Sequence, residues 1–390
     1  MSDPTETNTD WGSCTTEDSI SPCSGNDIIV IVHSRDDFKL FRVSVHCLTR
    51  WSRGWSYNDV FLPGTLLPIR KMVFSYSDSI QAMGLVLRMI HGVLEEIPTE
   101  LSRIKLFEIA KIVKKYELEC SFGRSQQRWF AQLRVPETFK YTTEERKPLT
   151  DGEFTRLLEF VWTAWVFGER DVFQYNARKL LLNWSASRHR RLNFHGMEQD
   201  LDIIQTVFPV LREEAVIGMV KVFTRQLRRR RNDGVHLCQQ GGEYFSPQCD
   251  EHIFKTISDS LGSMGIHDHN TLRDLDEESI LSLAQKLLSI RLTRAPGLDG
   301  SRSRFWPGHF TCIDMSMMRR FIEGWTTEIQ LPLGENLEAH FRDLSSRPAI
   351  DTPHESDRLP NDPIQRVDVD RTSDLRHYSR TGASVFRELN

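Results

Sequence analysis

Hydrophobic and polar positions near the start of the chain follow the period of a strand and later that of a helix. Asp27–Val32 is almost entirely Ile and Val, which predicts a strand buried on both faces. After a polar turn, Phe38–Val43 predicts a second strand that completes a hairpin. Leu48–Tyr57 then predicts a short helix, and Met72–Ser75 predicts a third strand.

The rest of the pattern is mostly helical. Apolar residues recur three or four positions apart in Ile80–Leu94 and Leu106–Tyr116, which predicts amphipathic helices. Phe154–Phe167 is apolar almost all round, so this helix is expected to lie inside the protein. The predicted fold class is therefore α+β, with a short three-stranded sheet packed on helices. Further helices are predicted at Asp171–Trp184, Pro209–Arg231, Asp250–Leu261, Glu277–Ile290 and Asp314–Ile329.

Changes in composition divide the chain into five segments. Residues 1–25 contain five acidic residues, no Lys or Arg and many Ser and Thr, which predicts a disordered acidic tail. Residues 345–390 contain four prolines and alternating Arg and Asp, which predicts a second disordered tail. We expect residues 26–135 to form the domain that contains the sheet, 150–232 a helical extension and 233–344 a helical subdomain.

Net charge, apolar runs and cysteine content indicate which binding functions and cellular compartments fit the protein. The formal net charge of −4 over 390 residues gives no electrostatic argument for binding nucleic acid or a membrane. No apolar run approaches the roughly 20 residues that span a bilayer, and the first residues lack the pattern of a signal peptide. We expect an intracellular protein, in the cytoplasm or the nucleus. Seven cysteines are too few, and odd in number, for a disulfide scaffold.

The order of these elements, together with several short motifs, resembles a BTB/POZ domain of the fungal type, a family described as nuclear-pore-protein-like. Phe41, Ser44 and Leu48 fall on the family's strand-to-helix motif, followed by Ser52, and Asp27 falls on the aspartate that opens the first strand. Three later segments also match: Ile-His-Gly at residues 90–92, Lys-Tyr at 115–116 and the AWVFG run at 164–168. The chain departs from the family pattern at residues 52–55, where Ser-Arg-Gly-Trp replaces Ser-Pro-Val-Phe.

The resemblance implies a module that contacts other proteins, commonly as a homodimer and sometimes as an adaptor that recruits a cullin ubiquitin ligase. We find no phosphate-binding loop, nucleophile elbow or His-Glu-x-x-His motif, so we expect a non-enzymatic protein with no catalytic residues. His46 is interpreted as a partly buried structural histidine. His91 and Gly92 are interpreted as a helix end, with a cation near the helix dipole and a C-terminal glycine.

A second set of residues has the chemistry of a structural zinc site. Cys238 and Cys249 flank a glycine-rich loop, and His309 and Cys312 form a His-x-x-Cys pair far downstream. Two such pairs would complete a closed tetrahedral site, with His252 as an alternative ligand. The competing interpretation is that the cysteines are buried apolar side chains and the histidines lie on the surface.

Five arginines, at position 225 and at 228–231, form a basic cluster. They suggest an alternative function, a zinc-stabilised nuclear regulator that contacts nucleic acid through this cluster. The interpretation we favour is the solvated C-terminal end of a helix, where cations complement the helix dipole. No aromatic residues are interleaved with the arginines, so we do not expect nucleic-acid binding.

Overall fold

The structure is a computed structural model, and its description covers most of the chain between residues 17 and 349. Those residues are 17–20, 27–34, 37–52, 54–55, 72–76, 78–118, 122–131, 133, 147–191, 197, 200–234, 247–266, 275, 277–291, 315–329, 331–347 and 349.

A mixed sheet of four strands lies at the start of the described chain. The strands are β1 (Glu17–Ser19), β2 (Asp27–Ser34), β3 (Asp37–Ser44) and β4 (Met72–Tyr76), and their order in the sheet is β1-β3-β2-β4. The strands β2 and β3 form an antiparallel hairpin, whereas β4 pairs in parallel with β2. All three predicted strands are confirmed, and together with the helices they give the predicted α+β class.

The strand β1 was not predicted, because it lies in the segment expected to be a disordered tail. It pairs in parallel with β3, with Asp18 opposite Phe41. The composition of the whole tail is polar, but Ile20 is only 6% exposed and belongs to the core. The average composition of 25 residues cannot reveal one buried side chain or a short run of backbone pairing, because both are tertiary contacts.

The first part of the described chain contains four helices, of which α1 lies between β3 and β4 and the others follow the sheet: α1 (Val45–Trp51), α2 (Ile80–Ile90), α3 (Arg103–Lys115) and α4 (Gly123–Ala131). The bounds predicted for the short helix, Leu48–Tyr57, were wrong at both ends, because α1 begins directly after β3 and ends at Trp51. The helix α4 was not predicted, although it buries the side chains of Trp129 and Phe130. Its remaining residues are polar, so the apolar pattern is too short to reveal its period.

The middle of the chain contains α5 (Asp151–Val166), α6 (Arg170–Leu182) and α7 (Ala186–Arg191). A capping box starts α5: the Thr150 backbone N–H donates to Glu153 Oε2 at 2.8 Å, and the Glu153 N–H donates to Thr150 Oγ1 at 3.3 Å. The prediction that α5 lies inside the protein is confirmed, because nine of its residues are buried. The helix packs chiefly against α6.

Five helices complete the described chain: α8 (Asp202–Asp233), α9 (Pro247–Ser263), α10 (Ile280–Leu288), α11 (Met315–Glu328) and α12 (Glu335–Ser346). The prediction that α8 starts at Pro209 was wrong, since the helix begins seven residues earlier and the proline lies inside it. Ile204 and Phe208 are fully buried there, and their burial outweighs the backbone hydrogen bond that proline cannot make. The helix α12 was not predicted and ends two residues inside the predicted second tail.

The buried side chains form one continuous hydrophobic cluster, which runs from Ile20 to Phe341 in the described chain. It contains residues of the sheet, of α5 and α6, and of α8 to α12. The three segments predicted to be ordered therefore all contribute side chains to the same core.

Candidate functional site

The residues of the BTB-like motif meet where the sheet joins its first helices. Ser44 is the last residue of β3 and precedes α1 without a break, and its backbone N–H donates to Nε2 of His91 at 2.9 Å. On the same ring, Nδ1 donates to the Leu87 carbonyl at 2.7 Å. Because Nε2 accepts and Nδ1 donates, this imidazole is neutral.

The interpretation of His91 as a cation was therefore wrong. The ring joins the end of α2 to the start of α1, which is a hydrogen-bonding role that the local sequence around a helix end cannot reveal. The predicted C-terminal glycine is confirmed, since Gly92 has φ +73°.

The other motif residues build the hairpin and the core beneath it. Asp27 lies directly opposite Ser44 in the antiparallel register. Phe41 and Leu48 are buried in the core. A Cβ atom added at Gly84 in α2 would lie 3.2 Å from Cε1 of Phe41, so this glycine lets the helix approach the sheet closely. Phe41, Leu48 and Gly84 position the elements and are buried, so they are not available for chemistry.

Ser52 ends α1 and ties it to the end of α3. Its hydroxyl donates to the Tyr116 carbonyl and accepts a 3.1 Å hydrogen bond from the Trp55 N–H. The backbone N–H of Ser52 donates to the Leu48 carbonyl at 3.1 Å. One buried hydroxyl thus bonds to two backbone groups, one at the end of α3 and one in the chain after α1.

The segment that departs from the family pattern packs on the same residue. The Gly54 N–H donates to the Tyr116 carbonyl at 3.1 Å, and the rings of Trp55 and Tyr116 lie 4.3 Å apart. A Cβ atom at Gly54 would lie 2.8 Å from the backbone of Tyr116, closer than real contacts permit. Residues 56–71, where the departure continues, lie outside the described residues.

Asp78 also holds the C-terminal end of α3, through its contacts with Tyr116 and Lys115. Its carboxylate accepts from the Tyr116 hydroxyl at 2.9 Å and from Lys115 Nζ at 2.8 Å. Burial is the largest single influence and opposes the charge on Lys115. The hydrogen bond to Asp78 and the interactions with Tyr116 together outweigh it and raise the pKa of Lys115. The arrangement is a hydrogen-bonded framework that holds α1, α3 and the chain before α2 in fixed positions.

The helix α1 carries a histidine and a cysteine, His46 and Cys47. His46 is exposed, so the prediction of a partly buried histidine was wrong. Val45 and Leu48 face the core, which turns position 46 toward solvent. Cys47 is half-buried.

The proposed zinc ligands fall largely outside the described residues. Cys238, His309 and Cys312 lie in segments that are not described, and Cys249 lies in the first turn of α9. His252 is half-buried on the same helix. Among the described residues, no group of three or more His, Cys, Asp or Glu side chains is close enough to hold a metal ion. The zinc site stays a prediction.

The arginine cluster lies at the C-terminal end of α8, as predicted. Arg230 forms an ion pair with Asp250 at 2.7 Å and a second one with Glu251, and its guanidinium lies 4.4 Å from the ring of Phe254. It therefore fastens α8 to α9. Beside it is a cavity of about 400 Å³, lined in part by Arg228 and Arg231.

One charged cluster was missed by the sequence analysis. Asp18 in β1 accepts from Lys39 Nζ at 3.0 Å and from Arg88 Nη2 at 2.6 Å, and Arg88 also pairs with Glu96 at 2.6 Å. A signal for it was present in the sequence, because Asp18 and Ile20 alternate with Ser19 in the period of a strand.

No helix in the described part of the chain combines the length and the apolar character needed to cross a membrane. No protein-family model, curated protein or solved structure matches this chain.

Proposed function

We propose that this chain is a non-enzymatic protein that binds other proteins through a BTB/POZ-like domain. The supporting observation is the arrangement of its first elements: β3 runs directly into α1, and the hairpin pairs with a parallel third strand from after the helix. That is the order which the resemblance implies. Ser44 and His91, which occupy two of the matched positions, are in direct contact.

The edges of the sheet support an interaction role. A strand at the edge of a sheet presents main-chain donors and acceptors that can pair with a second chain. Among the described residues, β4 pairs on one side only, with β2. The proposed binding modes are homodimerisation and capture of a partner as an adaptor.

The surface also offers an apolar position to test. Ile104, in the first turn of α3, is 71% exposed, which is the highest value among the large apolar side chains of the described residues. Covering an exposed apolar side chain with a partner removes apolar surface from water, which favours association. Val210 on α8 is 53% exposed and provides a matched position away from the sheet.

Sedimentation velocity of the full chain over a wide range of concentrations tests the proposal. We expect reversible self-association, which Ile104→Asp weakens and Val210→Asp leaves unchanged. A chain that stays monomeric and retains no stoichiometric partner on affinity purification would contradict the proposed function. Co-purification with a cullin would support the narrower role as a ligase adaptor.

A further inference from the structure

The strand β1 is a short segment laid along the outer edge of the hairpin. It pairs with β3 through three residues, Glu17 opposite Leu40, Asp18 opposite Phe41 and Ser19 opposite Arg42. The Ile20 N–H extends the pairing with a 3.0 Å hydrogen bond to the Arg42 carbonyl. The bound segment is therefore an extended peptide of four residues.

Two of these residues are recognised through their side chains. The carboxylate of Asp18 lies between the amine of Lys39 on β3 and the guanidinium of Arg88 on α2. Two positions later, the side chain of Ile20 enters the hydrophobic core. Ser19, between them, is exposed. The groove thus selects a carboxylate and an aliphatic side chain two residues apart, which lie on the same face of a strand.

The contacts that hold β1 are three paired residues, the backbone hydrogen bond of Ile20, its one buried side chain and part-exposed ion pairs. Ion pairs that are partly open to solvent contribute about 1 kcal/mol or less each, and Asp18, Lys39 and Arg88 all remain partly exposed. A tethered segment gains from its high effective concentration, which is millimolar for a short flexible linker, so it can occupy the groove although its own affinity is low.

We infer that the edge of β3, with Lys39, Arg88 and the pocket for Ile20, is a recognition groove for an extended acidic segment of another protein. The pattern it takes is an acidic residue, any residue and an aliphatic residue, added as a parallel strand. The chain's own residues 17–20 occupy the groove as a built-in competitor. This inference rests on the proposed function and names the kind of partner that one surface accepts.

The test uses the full chain and a fluorescent peptide of residues 15–22, TTEDSISP, with binding followed by fluorescence anisotropy. In the Asp18→Lys protein the chain's own strand is repelled by Lys39 and Arg88, so the groove is open to the peptide. We expect this protein to bind the peptide at least about tenfold more tightly than the wild type. Ser19→Lys, the same substitution at an exposed neighbour, is expected to bind as the wild type does.

Changes in the peptide separate recognition from misfolding of the protein. Against the same Asp18→Lys protein, a peptide that keeps only the Asp and Ile, with alanine elsewhere, is expected to bind. Peptides with Asp replaced by Lys, or Ile by Ser, are expected to lose binding. Equal binding of the Lys peptide, or no gain in the Asp18→Lys protein, would overturn the inference.

Oligomeric state distinguishes this inference from the proposed function. Self-association that persists when the peptide shows no binding would overturn the groove alone and leave the proposed function supported. A wild-type dimer that the peptide dissociates would identify a second copy as the occupant and would overturn the assignment to another protein.

Discussion

The first and the last elements that the structure describes, β1 and α12, attach to the same core by different means. The strand β1 is held by backbone pairing, by ion pairs of one carboxylate and by the single side chain of Ile20. The helix α12 is held mainly by packing, because Phe341 and Leu344 are buried. The strand β1 is therefore attached largely through polar, partly exposed contacts, whereas α12 is attached mainly through apolar ones.

The contacts of α12 fall on the AWVFG segment and the helix after it. His340 stacks on Trp165 with ring centroids 4.2 Å apart, and Phe341 lies 5.3 Å from the ring of Phe173. Leu344 lies against Gly168. Aromatic contacts of this kind add to the free energy of burial, so α12 is expected to be the more firmly attached of the two elements.

The largest expected effect is that of Phe341→Ala. Loss of a buried phenylalanine costs about 3–5 kcal/mol through lost transfer energy and the cavity left behind. We expect a decrease of this size in the free energy of unfolding, measured by chemical denaturation of the full chain. Phe321→Ala, at a side chain 46% exposed on α11, is the control and is expected to cost far less. Equal losses for the two variants would contradict the apolar attachment of α12.

A smaller effect is expected for Gly168→Ala. This glycine has φ +72°, a left-handed conformation that costs a residue with a side chain about 1–2 kcal/mol, and the new Cβ would lie 2.8 Å from Cβ of Leu344. The variant should loosen α12, which hydrogen exchange along residues 335–346 would reveal. Gly152→Ala in α5, where the new Cβ would lie 4.0 Å from a side-chain nitrogen of Arg156, should leave the exchange unchanged. Protection of α12 that is equal in both variants would count against the close contact.

The smallest expected effect is that of lowering the pH, which weakens the attachment of α12 first and that of β1 in stronger acid. Burial lowers the pKa of His340, and the positive charges of Arg347 and Lys114 lower it further. The hydrogen bond to Trp165 acts in the opposite direction but does not cancel these effects. The unfolded chain therefore takes up this proton at a higher pH than the folded chain does. The stability contributed by neutral His340 is complete above the ordinary value of 6.5 and is lost as the pH falls below it.

The pKa of Asp18 is lowered as well, from an ordinary value that is already acidic. Burial opposes its charge, but the hydrogen bond from Lys39 and the charge of Arg88 outweigh this and lower its pKa below the ordinary 3.8. Its contribution is present above that value and is lost as the pH falls through the lowered one. We expect hydrogen exchange to speed up first in α12 and then, in stronger acid, along β1. His340→Gln should remove the first step and Asp18→Asn the second. An unchanged first step in His340→Gln would assign it to another group.

The sequence was sufficient where a pattern is local and regular. The Ile and Val run of β2, the alternation of β3 and the all-apolar α5 each predict their element, because burial imposes one period over many residues. Four elements were missed: β1, α4, α7 and α12. The helices α4 and α12 each bury only two large apolar side chains, and β1 is followed by a single one, that of Ile20. Their positions depend on distant contacts, such as Asp18 with Arg88 or Phe341 with Phe173, and no local pattern records such contacts.

The candidate site was likewise only partly predictable from the sequence. The sequence identified Ser44 and His91 as matched positions, but the hydrogen bond between them spans 47 residues and sets the charge of the ring. The paired state of Arg230 likewise depends on Asp250 in a different helix. Spacing along the chain can mark such residues, but only the folded structure provides their partners.

The hydrogen bond from the Ser44 amide to the His91 ring makes this amide proton a probe of the contact between α2 and the start of α1. An amide hydrogen bonded to an aromatic nitrogen senses the ring current and the tautomer of that ring. Its nuclear magnetic resonance signal would shift as soon as α2 separated from the start of α1, before the helices themselves melted. A single isotope-labelled serine could therefore record, in the intact molecule, whether the hairpin and the helix behind it move together.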